Sequence, residues 1–190
     1  SIDKFVGFLE VSKNNFDATD FWSFTGKGQK LNLRIEYGKS RKNYELGWSD
    51  PWFNDNVNDT TKPSPAKPLF LGYNLYRVTR NPDDYELQRT GGSIKVGRKF
   101  GYYDKVFLKY QFEEVRIFDV DPVNAPTDIW NEVKDLPGNK KRELQSSFTI
   151  EYNRNTTDSP RWPTKGYIFN FTNEIAGGFV GGDVEYLKDE

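Results

Sequence analysis

The stretch VFLKYQFEEVRI, residues 106–117, decides the fold. Val106, Leu108, Tyr110 and Phe112 share one parity and Lys109, Gln111 and Glu113 the other, the period of a strand with one apolar and one polar face. Val115 and Ile117 then take the parity of Glu113, which predicts either a bulge or the end of the apolar band near Glu114.

Working outward, the same period recurs. Leu31, Leu33, Ile35 and Tyr37 interleave with Asn32, Arg34 and Glu36. Tyr44, Leu46 and Trp48 repeat it, as do Leu69, Leu71, Tyr73 and Leu75, and then the shorter pair Ile94 and Val96. Phe148, Ile150 and Tyr152 follow, then Tyr167, Phe169 and Phe171. With a first strand over residues 4–11 and a last over 183–187, about nine antiparallel strands are predicted, an all-β chain. The one helical pattern, Ile129, Trp130, Val133 and Leu136 after Thr127, lies in a long connection over residues 119–142. Residues 54–68, with Pro63, Pro65 and Pro68, form a second long connection that cannot be a central strand.

Composition narrows function. The 190 residues carry 27 Lys and Arg against 28 Asp and Glu, so no electrostatic footprint for nucleic acid exists. No Cys and no His are present, which excludes disulfides, thiolate or imidazole metal sites and triads that use imidazole as base. Glu113 and Glu114 are adjacent on a strand and point to opposite faces, so they cannot flank one glycosidic bond. Gly26, Lys27 and Gly28 lack the strand, loop and helix setting of a phosphate loop. The triplets opened by Asn58, Asn155 and Asn170 match glycosylation sequons at chance level. No catalytic, cofactor-binding or metal-ligating residue is nominated, and a non-enzymatic role is expected. The chain starts at Ser1 and has no Met, so longer flanking sequence is expected.

Alternation alone leaves two readings open: a soluble β-sandwich whose rings form a core or a ligand-stacking face, and a barrel whose apolar side meets lipid around a polar lumen. No run approaches the roughly 18 apolar residues of a membrane helix, so crossing a membrane would need strands. The strand lengths, and rings gathered near strand ends, lean toward lipid. In the barrel reading Trp48, Trp52, Phe53, Tyr102, Tyr103, Trp162 and Tyr167 are the expected membrane-interface aromatics. Arg34, Glu36, Lys95, Lys109, Gln111, Glu113 and Glu151 are then expected to face the lumen, because Lys or Arg on the lipid side costs roughly 2–4 kcal/mol at the midplane. The basic run Lys140, Lys141 and Arg142 is expected on a solvated loop.

A resemblance adds to this. Residues 154–166, which include Arg154, Asp158, Pro163, Thr164 and Gly166, resemble the strand, turn, strand motif of the BamA/TamA superfamily of outer-membrane assembly barrels. Glu174 to Asp183 is similar to the segment that follows it in the family, and Ser49 to Phe53 to an earlier strand-ending turn. Gly28 to Leu31, after Phe5 to Glu10, extends the likeness over nearly the whole chain, most like the BamA branch. Two positions depart: Asn155 stands where the family usually has an acid, and Thr157 where it often has a base, which leaves the charge pairing of that turn in doubt.

The resemblance implies an up-and-down transmembrane β-barrel segment occupying residues 1–190, with the helix on a long extracellular loop and the 154–166 turn in the periplasm. POTRA domains and later strands would lie outside these residues. It implies a bacterial outer membrane location and assembly and insertion of other barrel proteins without covalent chemistry or cofactors. The implied partners are outer-membrane lipid or lipopolysaccharide, unfolded outer-membrane protein clients and, in the full-length protein, assembly-complex lipoproteins. A TamA-like or polypeptide-translocating pore of the same superfamily is the alternative.

Overall fold

Backbone pairing joins consecutive strands into one antiparallel meander, β1 to β9 in chain order. The computed structural model describes residues 6–20, 22–53, 68–82, 84–159 and 161–189. The strands are β1 (Val6–Phe16), β2 (Gln29–Gly38), β3 (Arg41–Asp50), β4 (Leu69–Arg80), β5 (Glu86–Phe100), β6 (Asp104–Phe118), β7 (Lys141–Asn155), β8 (Ile168–Ala176) and β9 (Tyr186–Asp189). Among the described residues β1 and β9 do not pair, so the sheet is open. Residues 54–67 of the expected 54–68 connection, including Asn58, and the first residues of the expected first strand, Lys4 and Phe5, lie outside the described residues.

From β2 to β9 the register carries the alternation without slipping, and only the β1–β2 pairing shifts, between Lys13 and Phe16. Leu31 pairs Trp48, Trp48 pairs Tyr73, Tyr73 pairs Ile94, Ile94 pairs Tyr110 and Tyr110 pairs Phe148, one apolar row on one face. Leu33, Leu46 and Leu75 line the next row on that face, continued by Gly92 and Phe112. A one-residue slip would move every one of these side chains to the opposite face, so burial or solvation of either face pins the register. Tyr44, Leu46, Tyr73, Leu75, Ile94, Tyr110 and Phe112 remain exposed, with no second sheet over them among the described residues. The sandwich expectation therefore fails: a sandwich would have covered this face.

The polar face is concave. Side chains reach across an intervening strand there, Tyr76 on β4 to Glu113 on β6, and Lys95 on β5 to Glu151 on β7. Gly91 and Gly97 make this possible. A Cβ at Gly91 would stand 2.6 Å from Phe112 O and 3.0 Å from Tyr76 Oη, and one at Gly97 would fall inside the Phe107 ring. Rings from neighbouring strands occupy the space these glycines leave.

The expected bulge near Glu114 is absent. β6 pairs β5 and β7 in unbroken register past Glu113 and Glu114, and the parity of the apolar residues changes because the outward apolar band ends there, the other cause expected. Beyond Phe112 the outward positions turn polar, Glu114 and Arg116, while inward Val115 and Ile117 become buried. The helix α1 (Thr127–Val133) folds over this end of the concave face. Val133, at 0% exposure, packs with Ile117 and Val120, and Leu87, Ile129 and Trp130 surround them.

Three further expectations change. β5 runs 15 residues, far beyond Ile94 and Val96. Lys141 and Arg142 belong to β7 and not to a solvated loop; Lys141 pairs with Glu132 and Glu143, while Arg142 faces outward to Glu114. The last strand starts at Tyr186 because Asp183 turns back onto β7, its N–H bonding Leu144 O at 2.6 Å and its carboxylate taking the Leu144 N–H at 2.8 Å.

Candidate functional site

The residues expected to face a lumen fall on one face. Cross-strand pairing sets Arg34 against Glu45, Glu45 against Tyr76, Tyr76 against Gly91, and Gly91 against Glu113. Arg34 lies between Glu10 and Glu45 in this row and covers the Phe8 ring at 5.4 Å. Glu36 lies on the same face one row away, 3.6 Å from Arg41. Tyr76 donates to Glu113 Oε2 at 2.6 Å and accepts from Gln111 Nε2 at 3.0 Å, so Glu113 is buried yet partnered.

Lys95 and Lys109 pair directly, and like charges in that position repel. Lys95 turns away across the Phe107 ring, its Nζ 4.7 Å from the centroid, and donates to Glu151 Oε2 at 2.6 Å. Phe107 is in turn held edge-on by Phe70 at 5.6 Å. The face is thus a set of alternating charges braced by rings, with no group of three or more carboxylates able to hold a metal among the described residues.

The expected interface aromatics gather at one end. A meander puts alternate connections at the same end, so the described residues that follow β1, β3, β5 and β7 share it. Trp52 and Phe53, Tyr102 and Tyr103, and Trp162 and Tyr167 sit on these connections and are exposed, Tyr102 by 98%. Trp48 differs: it lies within the strand row, stacked on Tyr73 at 5.7 Å with its Nε1 donating to Gln29 Oε1. Trp22, exposed by 98%, and Phe24 stand at the same end and were not anticipated, because they follow no strand pattern. Their place near that end becomes visible only once the 17–28 connection is assigned to it.

The 154–166 segment closes around Asp158. Its carboxylate accepts from the Thr164 hydroxyl at 2.5 Å, the Thr164 N–H at 2.9 Å and the Lys165 N–H at 3.2 Å, which together hold its pKa down to about 2. Gly166 has φ +98°, and a Cβ there would lie 2.3 Å from Thr156 O. Pro163 precedes Thr164 in the loop, and Arg154 reaches Asp104 at 3.3 Å on the neighbouring strand. Where a charge pair was in doubt, Asn155 Oδ1 accepts from Thr157 N at 3.0 Å and Thr157 Oγ1 at 2.6 Å, so a neutral turn bond stabilises the corner. Asn155 and Asn170, the two described sequon positions, are strand residues.

A curled antiparallel meander with one uncovered apolar face and one polar concave face defines the wall of a transmembrane β-barrel. The Omp85 superfamily domain matches residues 23–190, and the chain belongs to that superfamily. It is 27% identical over 163 residues to the outer membrane protein assembly factor BamA of Nitratidesulfovibrio vulgaris (strain Hildenborough), covering 86% of this chain and 18% of that protein. It is 26% identical over 174 residues to the BamA of Neisseria meningitidis serogroup B (strain MC58), covering 86% and 20%. The chain therefore spans about a fifth of the length of these relatives. The fold is similar to the crystal structure of BamA from Haemophilus ducreyi lacking POTRA domains 1–3, with TM-score 0.58 at 14% identity over 92% of this chain and 31% of that one.

Proposed function

We propose that these residues form part of the wall of an outer-membrane barrel that assists the assembly and insertion of other β-barrel proteins, acting without covalent chemistry. The observation that carries this is the set of outward apolar residues from Tyr37 on β2 through Leu46, Leu75, Ile94 and Phe112 to Ile150 on β7, exposed along one face while charged residues fill the other. Water does not leave such a face open over six strands; acyl chains solvate it. The protein resides in the bacterial outer membrane. In this reading Arg34, Glu36, Lys95, Lys109, Gln111, Glu113 and Glu151 line an aqueous interior, and the ring-bearing end lies at the periplasmic interface with the 154–166 turn. Outer-membrane lipid, unfolded clients and assembly lipoproteins are the partners.

The height of the band supports an insertion role. Along β6 the outward apolar run from Val106 to Phe112 covers roughly 20 Å at about 3.4 Å per residue, less than the ~25 Å band of outer-membrane barrels even before tilt. A short band draws the surrounding bilayer thinner and lowers the barrier to inserting a strand beside it. The test is reconstitution of the full chain in liposomes with an unfolded outer-membrane barrel as client. Client folding is expected to accelerate over empty liposomes; equal rates in both would overturn the assembly role.

A further inference from the structure

The outward face carries a feature that the wall role does not require. Gly92 leaves a groove of about 810 Å³ open toward the exterior, walled by Tyr73, Leu75, Ile94, Tyr110 and Phe112. At one end of the groove stand Glu114, Arg116 and Arg142. Glu114 holds both arginines, Arg116 Nη2 at 2.6 Å and Arg142 through its Nε, and is itself largely covered, while the guanidiniums stay exposed. Each guanidinium has five N–H donors, so this pairing fixes both and leaves several donors directed outward.

The surrounding charge is predominantly positive. Two outward rows bound the apolar band at this end: Lys42, Thr79, Gln88, Arg116 and Arg142 in one, and Tyr44, Arg77, Thr90, Glu114 and Leu144 in the other. They contain four cations and one carboxylate, with Glu86 a row farther from the band. At the opposite margin Arg154 is tied to Asp104. A cationic margin over an apolar groove complements an amphiphile with an anionic head and an acyl tail.

We propose that this groove binds a phosphorylated glycolipid of the lipid A type, one acyl chain lying over Gly92 between the ring walls and a phosphate seated between Arg116 and Arg142, with Arg77 at its flank. The choice of lipid rests on the orientation given under the proposed function, which places this end in the outer leaflet. Glu114 is a positioning residue: it touches the arginines and not the lipid.

The test uses the full chain in a non-ionic detergent, with retained lipid measured by native mass spectrometry. Bisphosphorylated lipid A, its dephosphorylated form and phosphatidylglycerol are the probes. Lipid A is expected to bind about tenfold or more tightly than the dephosphorylated form, and the R116Q/R142Q variant to erase that preference. G92L, which puts a side chain against Leu75 and the Asn74 carbonyl, is expected to weaken both forms of lipid A equally. Equal binding of dephosphorylated lipid A, a match by phosphatidylglycerol, or an unchanged preference in R116Q/R142Q would each overturn the site. The lipid comparison on the unaltered chain decides the question even if a variant does not fold. Liposome insertion, scored separately, distinguishes failure of this site from failure of the barrel reading.

Discussion

Replacing Gly166 by Ala tests the turn that joins β7 to β8 with a magnitude that can be worked atom by atom. The backbone at Gly166 has φ +98°, a region that costs an L side chain about 1–2 kcal/mol. The added Cβ would also stand 2.3 Å from Thr156 O and 2.7 Å from Thr157 Cα, both backbone atoms that cannot rotate away. Relief requires the two chains to part by about 1 Å, which stretches Thr156 N to Tyr167 O and Tyr167 N to Thr156 Oγ1, each now 2.9 Å. Losing both at about 1 kcal/mol each brings the total to roughly 3–4 kcal/mol. Gly101 is the control: its φ is +71°, but nothing lies within 4 Å of its Cβ direction, so Gly101→Ala should cost only the conformational part. Urea unfolding of the two variants in detergent should differ by about 2 kcal/mol, a midpoint gap of roughly 1 M at an m-value near 2 kcal/mol/M. Equal midpoints would refute the argument that close backbone approach, and not φ alone, demands glycine at 166.

Asp158 gives the same turn a pH dependence. Its depressed pKa means the folded turn is favoured with full strength above the ordinary carboxylate value of 3.8 and loses that support as pH falls toward about 2. Amide exchange at Thr164 and Lys165 should accelerate over that window in the natural sequence and show no such step in Asp158→Asn. Leu108→Arg places a cation on the outward face and should cost roughly 2–4 kcal/mol of folding stability in a bilayer, whereas Gln111→Arg on the concave face should cost far less; indistinguishable losses would argue against lipid on the ring-bearing side. Val133→Ala removes two methyl groups from a fully covered position and should destabilise the docked helix by roughly 2 kcal/mol, raising proteolytic nicking of the 119–140 connection about thirtyfold while the strands keep their protection.

Strands β2, β3 and β4 were readable because their outward positions are uninterrupted: Leu31 to Tyr37, Tyr44 to Trp48 and Leu69 to Leu75 each alternate without a small residue on the apolar side. β5 was not. Its glycines at 91, 92 and 97 interrupt the pattern on either side of the pair Ile94 and Val96; Tyr76 lies over Gly91 and Phe107 over Gly97, while Leu75 only flanks Gly92. A period read along one strand cannot register a ring donated from the next. The change of parity at Glu114 was visible, but the apolar cover over Ile117 was not, since it comes from a helix in the following connection. The concave network had the same status: Lys95, Lys109 and Glu151 could be assigned a face, while the turn of Lys95 away from Lys109 toward Glu151 depends on the strand order. The outward position of Arg142 likewise needed the start of β7, which its charged neighbours conceal.

The seating of α1 against Ile117 and Val120 has an electrical corollary. A curved wall with a charged inner surface would by itself line an ion-conducting path, and a lid anchored by Val133 on that surface narrows the path at one mouth. Ionic current through a barrel built on this wall is therefore expected to rise when the helix loses its seat on Ile117 and Val120.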